Sequence, residues 1–330
     1  ESHFLPTLIS PTNMTGFNSN VIYFPDDPTA VGWEGAVVAL GNFDGMHRGH
    51  TAILDNVRRR AEKRSSRRAV VTFEPHPSKI IRPEKAPLLL MTHSQKCNAM
   101  IENGMDGVGV VRFTTELSRW EPDLFVRRVL VQWLRICEVW VGENFLFGHD
   151  RSGNFSLLRT LGVRYGFEVY KVEPVRYKDF VISSTRIRRL IVDGQVDEAG
   201  ALLGHHYTLE GTVRPGAGRG SKQGVPTANL KTANELLPPD GVYATTVVLN
   251  GVIYASITNI GVRPTFESNG ERTVETHIFD FSSDLYGSEL SIAFIARLRE
   301  ERRYADAAAL KAQMNDDFAQ AKALFRQISL

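Results

Sequence analysis

The sequence predicts two domains of different class: an α/β domain built on a parallel sheet, followed by a small β-barrel-like domain closed by a helix. Three observations predict it. From about residue 36 short apolar runs alternate with helical patterns, the pattern of strands joined by crossover helices. Beyond Gly204 the text changes to closely spaced strands, and the chain ends on a segment whose apolar residues share one helical face. A chain of 330 residues with 42% hydrophobic and 23% charged residues has the length for two domains and the apolar material for two cores.

In order along the chain, residues 1–20 are mixed, with Pro6, Pro11 and Gly16, and read as an irregular lead-in. Residues 36–40, 69–73, 107–111, 138–142 and 167–172 read as buried strands, and 50–63, 94–103 and 121–133 as the helices between them. Ligands of such sheets bind beyond the carboxyl ends of the strands, which places interest on the loops at Gly41, Glu74 and Gly142. Ser184-Thr185 caps an amphipathic helical run through Ile187, Leu190, Ile191, Val196 and Leu202, broken near Gly194 and ended by Gly204, and the domain boundary is expected just after it. Residues 242–249 and 252–258 flank Asn250-Gly251, the pair that supplies the two positive φ values of a type I′ hairpin turn. Strands at 276–281 and 290–298 follow. The terminal helix, from about Asp306, carries Leu310, Met314, Phe318, Ala321, Phe325 and Ile328 on one face.

Composition excludes several classes. Lys plus Arg total 39 against 37 acidic residues, spread evenly over both halves, so no nucleic-acid partner is expected. The run Arg58, Arg59, Arg60, Lys63, Arg64, Arg67, Arg68 reads as a solvated helix end whose cations suit the helix dipole. Cys97 and Cys137 are too few for a disulfide framework or a four-cysteine zinc site, which favours a reducing compartment, the cytoplasm. No apolar run approaches a membrane span, so no membrane partner is expected; the oligomeric state stays open.

Two loops carry the chemistry. Gly41-Asn42-Phe43-Asp44-Gly45-Met46-His47-Arg48-Gly49-His50 follows a buried strand and opens a helix, so two imidazoles stand beside free backbone amides, a cradle for phosphates. Transfer between phosphates needs such charge stabilisation and little covalent help. The second loop, Gly216-Ala217-Gly218-Arg219-Gly220-Ser221-Lys222-Gln223-Gly224, lets backbone approach a ligand closely but lacks Walker spacing; Pro226-Thr227-Ala228-Asn229 follows it directly.

The first loop resembles the H-x-G-H signature of the nucleotidyltransferase superfamily, in the form G-x-F-D-G-x-H-x-G-H of prokaryotic FAD synthetases. Thr72-Phe73-Glu74-Pro75-His76-Pro77, Val141-Gly142-Glu143-Asn144-Phe145-Leu146-Phe147-Gly148 and Ile182-Ser183-Ser184-Thr185-Arg186-Ile187-Arg188 are similar to that family's segments, in order. The second loop with its Pro-Thr-Ala-Asn resembles the riboflavin kinase signature G-R-G-x-x-x-G-x-P-T-A-N, with Gln223 where the family commonly has Leu or Ile. Val274-Glu275-Thr276-His277-Ile278-Phe279-Asp280, Asn259-Ile260-Gly261-Val262-Arg263-Pro264-Thr265-Phe266 and the R-x-E-x-x-[FY] stretch at Arg299, Glu301 and Tyr304 are similar to kinase segments too.

The resemblance to the bifunctional riboflavin kinase/FAD synthetase family implies an FMN adenylyltransferase domain over 1–204, a Rossmann-like parallel sheet, and a β-barrel riboflavin kinase domain over 205–330. It implies that riboflavin is phosphorylated to FMN and FMN adenylylated to FAD, with ATP as co-substrate and Mg²⁺ as cofactor. By that likeness Gly41, Phe43, Asp44, Gly45, His47, Gly49, His50, Asn144, Ser183, Ser184, Thr185 and Arg188 bind nucleotide, His47 and His50 catalytically. Pro75, His76, Pro77 and Asn144 would face FMN. In the kinase Gly218, Gly220, Lys222, Thr227 and Asn229 would hold ATP, Thr227 and Asn229 also the metal, Glu275 would be the general base, and Arg299 and Tyr304 would lie near the flavin. One inactive module, or a flavin- or nucleotide-binding regulator without activity, are the alternatives.

Overall fold

The computed structural model describes residues 20–27, 32–215, 227–262 and 272–328, which divide into two compact units at Ser184/Thr185. In the first unit, strands β1 (Val21–Phe24), β2 (Val37–Leu40), β3 (Arg68–Glu74), β4 (Gly107–Arg112), β5 (Glu138–Gly142) and β6 (Glu168–Val172) form one sheet in the order β1-β4-β3-β2-β5-β6, every pairing parallel. Buried on both faces, its central strands are continuous apolar runs, as a parallel sheet requires. Val37 and Ala39 face the core shared with α1 (Arg48–Arg64) and α3 (His93–Glu102); Val38 and Leu40 face the opposite core, which takes in Phe125, Leu130 and Trp133 and, from α5 (Phe155–Tyr165), Leu158 and Leu161.

Strand order reverses at β2, whose neighbours β3 and β5 lie on either side, so the loops leaving these three strands share one end of the sheet. Those are the loops singled out by their sequence. The strands of this sheet differ from expectation by a residue or two at their ends, whereas of the later strands the one expected over 276–281 runs Arg272–Ile278 and the one expected over 252–258 extends to Val262. Strand β1 is an addition: it pairs with β4 at the sheet edge, and its four residues, followed by Pro25, carry too short a pattern to stand out. The helix expected over 121–133 begins at α4 (Pro122–Phe125) and continues as a wider π-helical stretch, Val126–Trp133. Its apolar spacing suits both windings, and Val126, Val129, Leu130 and Trp133 are buried. A short helix α2 (Pro77–Ile81) follows β3, and a small hairpin, β7 (Arg176–Tyr177) with β8 (Phe180–Val181), precedes Ser183.

The second unit opens at Thr185, the second residue of α6 (Ser184–Val192), and continues with α7 (Val196–Leu203), the two helices separated at Gly194 (φ 78°) and closed by left-handed Gly204 (φ 88°). This compact unit begins at Thr185, ahead of Gly204, and its α7 packs on strands β9 (Tyr207–Arg214) and β14 (Glu289–Glu300). With β10 (Ala228–Thr232), β11 (Gly241–Leu249), β12 (Val252–Val262) and β13 (Arg272–Ile278) these close a barrel in the order β10-β13-β12-β11-β14-β9. Asn250 (φ 50°) and Gly251 (φ 81°) make the β11–β12 turn as their residue types dictate. The barrel interior holds Tyr243, Val247, Phe294 and Ile292 together with a buried hydroxyl chain: Thr245 to Ser256 and to Thr258 (both 2.7 Å), and Thr258 to Thr276 (3.0 Å). Helix α8 (Ala307–Gln327) lays Phe318, Ala321 and Phe325 against Val242, Ala244, Ile257 and Phe279 on the barrel's outer face.

Candidate functional sites on the two units

On the first unit the 41–50 loop is bent by three positive φ values, at Phe43 (52°), Gly45 (91°) and Met46 (39°), and Phe43 and Met46 bury themselves in the α1/α3 core. The loop is then tied on three sides. Buried Asp44 accepts the Leu90 N–H (3.0 Å) and Met91 N–H (3.2 Å) through Oδ1, Thr72 donates to the Asn42 carbonyl (3.1 Å), and Ser184 donates to the Asp44 carbonyl (2.8 Å). Ser184, expected to cap a helix, is therefore the first helical residue and a tether of this loop; Thr185 and Arg188 continue along α6 in the other compact unit.

His47 is the N-cap of α1, its Nδ1 accepting the His50 N–H at 3.3 Å, and the two rings stack with centroids 3.6 Å apart. Gly49 permits this, since a Cβ there would lie 3.1 Å from the His47 ring. Burial, and then the neighbouring His47, push the His50 pKa well below its ordinary value, so the ring is neutral at pH 7. Its Nδ1 is buried and, among the described residues, has no hydrogen-bond partner. A helix amino end with an unsatisfied imidazole nitrogen beside it is a receptor for anionic oxygen.

The 74–77 loop leaves β3 next to it. His76 caps α2 by accepting the Ser78 N–H (3.2 Å), and the Glu74–Pro75 peptide is cis. Burial raises the Glu74 pKa, but His93 and Lys96 outweigh it and hold the carboxyl below its usual range. Asn144 stands exposed on the turn after β5. The basic run at the end of α1 is solvated only in part: Arg59, Lys63 and Arg67 are exposed, while Arg60 and Arg64 bind fully buried Glu138 (2.7 and 2.9 Å) and both also reach Glu168, and Arg68 pairs with Asp106 (2.8 Å). The carboxylates come from β5, β6 and the start of β4, places that the run itself does not reveal.

On the second unit, Gly218, Gly220 and Lys222 lie outside the described residues. The rest converges on the barrel's outer face. Asn229 on β10 and Asn259 on β12 are the direct cross-strand partners of Glu275 on β13, so the three form one lateral row, half-buried. Thr227 lies two residues before Asn229. Glu301 joins the row: Asn259 hydrogen-bonds it, a Cβ at Gly261 would lie 2.6 Å from its Oε1, and burial, Asp240 and Glu275 raise its pKa over the opposing Arg299 and the Asn259 hydrogen bond. Arg299 and Tyr304 are neighbours, the guanidinium 5.7 Å from the ring, but the guanidinium grips buried Asp317 of α8 (2.8–3.1 Å). Asn259 and Glu301 stood within segments already noted without a role; Asp317 carried no local signal, because only α8 docking brings it to β14.

The model of the FAD synthetase family matches residues 29–186, and that of the riboflavin kinase family residues 203–325. The bifunctional riboflavin kinase/FMN adenylyltransferase of Pseudomonas fluorescens is 39% identical over 88% of this chain and 93% of its own, and that of Escherichia coli K12 is 35% identical over the same shares. The chain belongs to the bifunctional riboflavin kinase/FMN adenylyltransferase family. A Streptococcus pneumoniae crystal structure described as a macrolide-efflux protein superposes with a TM-score of 0.82 at 27% identity, over 92% of this chain and 99% of that one. That likeness concerns the fold. Among the described residues no helix is long and apolar enough to cross a membrane.

Proposed function

We propose that the part of the chain matched by the FAD synthetase family adenylylates FMN and the part matched by the riboflavin kinase family phosphorylates riboflavin, so that the product of the second is a substrate of the first. The observation that carries this reading is the coincidence, within each matched family segment, of a site with the required chemistry.

In adenylyl transfer an FMN phosphate oxygen attacks the α-phosphorus of ATP and the bond to pyrophosphate breaks. Charge gathers on oxygens, and donors aimed at them do the catalysis. His47 and His50 supply imidazole donors beside the α1 amino end. His50, neutral in the free protein, gains proton affinity as anionic phosphate arrives. Pro75, His76, Pro77 and Asn144 face the flavin substrate; Asp44 and Ser184 hold the loop in shape.

In the kinase the riboflavin 5′-hydroxyl attacks the γ-phosphorus of ATP while its proton passes to Glu275, and ADP departs. The Thr227 hydroxyl and the Asn229 amide oxygen are hard donors in or beside the row that holds Glu275, a set that fits Mg²⁺, which keeps most of its waters. The ion, when bound, neutralises charge on the ATP phosphates. Arg299, committed to Asp317, braces the end of β14 near the flavin. Free Cys97 and Cys137 suit the reducing cytoplasm.

Incubating the protein with riboflavin, ATP and Mg²⁺ and following flavins by chromatography tests the reading. FMN should appear first and FAD after it; FMN without FAD, or neither, refutes one or both assignments.

A further inference from the structure

Lys96 is almost entirely buried, its side chain 7% exposed, yet the adenylyl transfer derived above makes no use of it. Lysines are seldom buried unless the ammonium is partnered. Here Nζ donates to the Phe73 carbonyl at 3.0 Å and stands 3.6 Å from Glu74 Oε2. His93, one turn earlier on α3, faces the same carboxylate oxygen with Nδ1 at 3.4 Å, and its Nε2 meets the Tyr23 hydroxyl at 3.1 Å. The Cys97 thiol beside it, then Glu74 and Tyr23, push the His93 pKa up to about 10 against the effect of burial, so the ring is a cation at neutral pH. Two cations of one helix converge on the last residue of β3.

The chain that follows is tied within itself at its far end, where the His76 carbonyl accepts the Lys79 N–H at 2.8 Å. Pro75 and Pro77 have no N–H, which leaves His76 the sole backbone donor of Pro75-His76-Pro77. One end of the tripeptide is secured by the His76 ring on Ser78; the other hangs from Glu74, whose carbonyl accepts the Phe113 N–H at 2.9 Å and whose side chain is gripped by α3. The segment entering α3 also holds the neighbouring loop, through the Leu90 and Met91 amides on Asp44.

We propose that Lys96 and His93 are positioning residues of the adenylyltransferase: by gripping Glu74 they hold Pro75-His76-Pro77 against FMN, so the first turns of α3 set the FMN affinity. This rests on the reading of residues 75–77 as the flavin-side loop.

The test uses the full chain with Lys96→Met, Lys96→Arg, His93→Gln and His76→Ala, varying FMN and ATP separately with Mg²⁺ and assaying riboflavin phosphorylation on the same preparations. Lys96→Met and His93→Gln should raise KM for FMN about tenfold or more, the scale on which a displaced support costs an enzyme, with KM for ATP held within about twofold. Phosphorylation of riboflavin should be unchanged, and Lys96→Arg, which keeps the cation, should recover most of the loss. If His76→Ala raises KM for FMN and neither Lys96→Met nor His93→Gln does, the positioning role is overturned and the loop reading stands. No response to His76→Ala refutes the loop reading and the inference with it. Equal rises in both KM values, or a loss confined to kcat, also overturn it; should Lys96→Met fail to fold, Lys96→Arg and His93→Gln decide.

Discussion

Burial, and then His47, keep His50 neutral, and its buried Nδ1 has no hydrogen-bond partner among the described residues. His50→Ala should lower FAD formation by about 10²-fold or more, the scale of losing a transition-state donor, while FMN formation persists. His47→Ala should do the same but also removes the α1 N-cap, worth about 1 kcal/mol, so thermal unfolding separates the two variants. Near-normal adenylylation in His50→Ala would mean the phosphates sit elsewhere. Glu275→Gln keeps the shape of the row but removes the base; riboflavin phosphorylation should fall about 10²- to 10⁴-fold while supplied FMN is still adenylylated. A kinase rate that barely moves would make Glu275 structural. His206 behaves differently: burial, and then His205, lower its pKa from 6.5 to about 4. Between those values the unfolded chain binds more protons, so stability is fully present above pH 6.5 and lost as pH falls toward 4. Urea titrations from pH 7 to about 4.5 should show that slope flattened in His206→Gln; an unchanged slope would assign it to other groups.

At the scale of elements, α1 has the stacked His47 and His50 at one end and is pinned at the other by Arg60 and Arg64 on Glu138, which also accepts the Trp140 indole N–H (2.5 Å). Replacing both arginines by Ala leaves a fully buried carboxylate with the indole alone. The expected cost is about 3 kcal/mol, the lower end for stranding a buried charge, because solvent reaches both arginines. Denaturant unfolding checks it, and a loss under about 0.5 kcal/mol would class these pairs with ordinary surface bridges. What the sequence conveyed of this helix was its start and apolar face. Its partners at the far end were hidden, since Glu138 and Glu168 lie some 80 to 100 residues away along the chain and meet α1 only through the sheet.

For the whole molecule, the question is where the kinase unit begins. Val196, Ala199, Leu202 and Leu203 of α7 are buried, and α7 packs on β9 and β14. A fragment covering 185–330 should fold cooperatively and phosphorylate riboflavin without making FAD. One that starts at residue 205 exposes the barrel surface under α7 and should be less stable by about 2 kcal/mol or more, roughly one buried leucine. Equal stability of the two fragments, by urea unfolding, would restore the boundary at Gly204; an inactive but folded longer fragment would show that the modules are not independent.

The sequence by itself determined whatever depends on near neighbours. Strand and helix periodicity, the Asn250-Gly251 turn and the break at Gly194 follow from backbone sterics and spacing within a few residues. The two chemistries were legible through the resemblance of several separated segments, in order, to family motifs, and only the phosphate cradle of residues 41–50 could be read from its own loop. Tertiary structure alone decided the strand order, the lateral row of Asn229, Glu275 and Asn259, the docking of Asp317 on Arg299, and the burial of Lys96 and Glu138. These depend on register and packing between distant segments, where a one-residue slip would turn a side chain to the other face, and a charge reads alike in sequence whether water or a buried partner surrounds it.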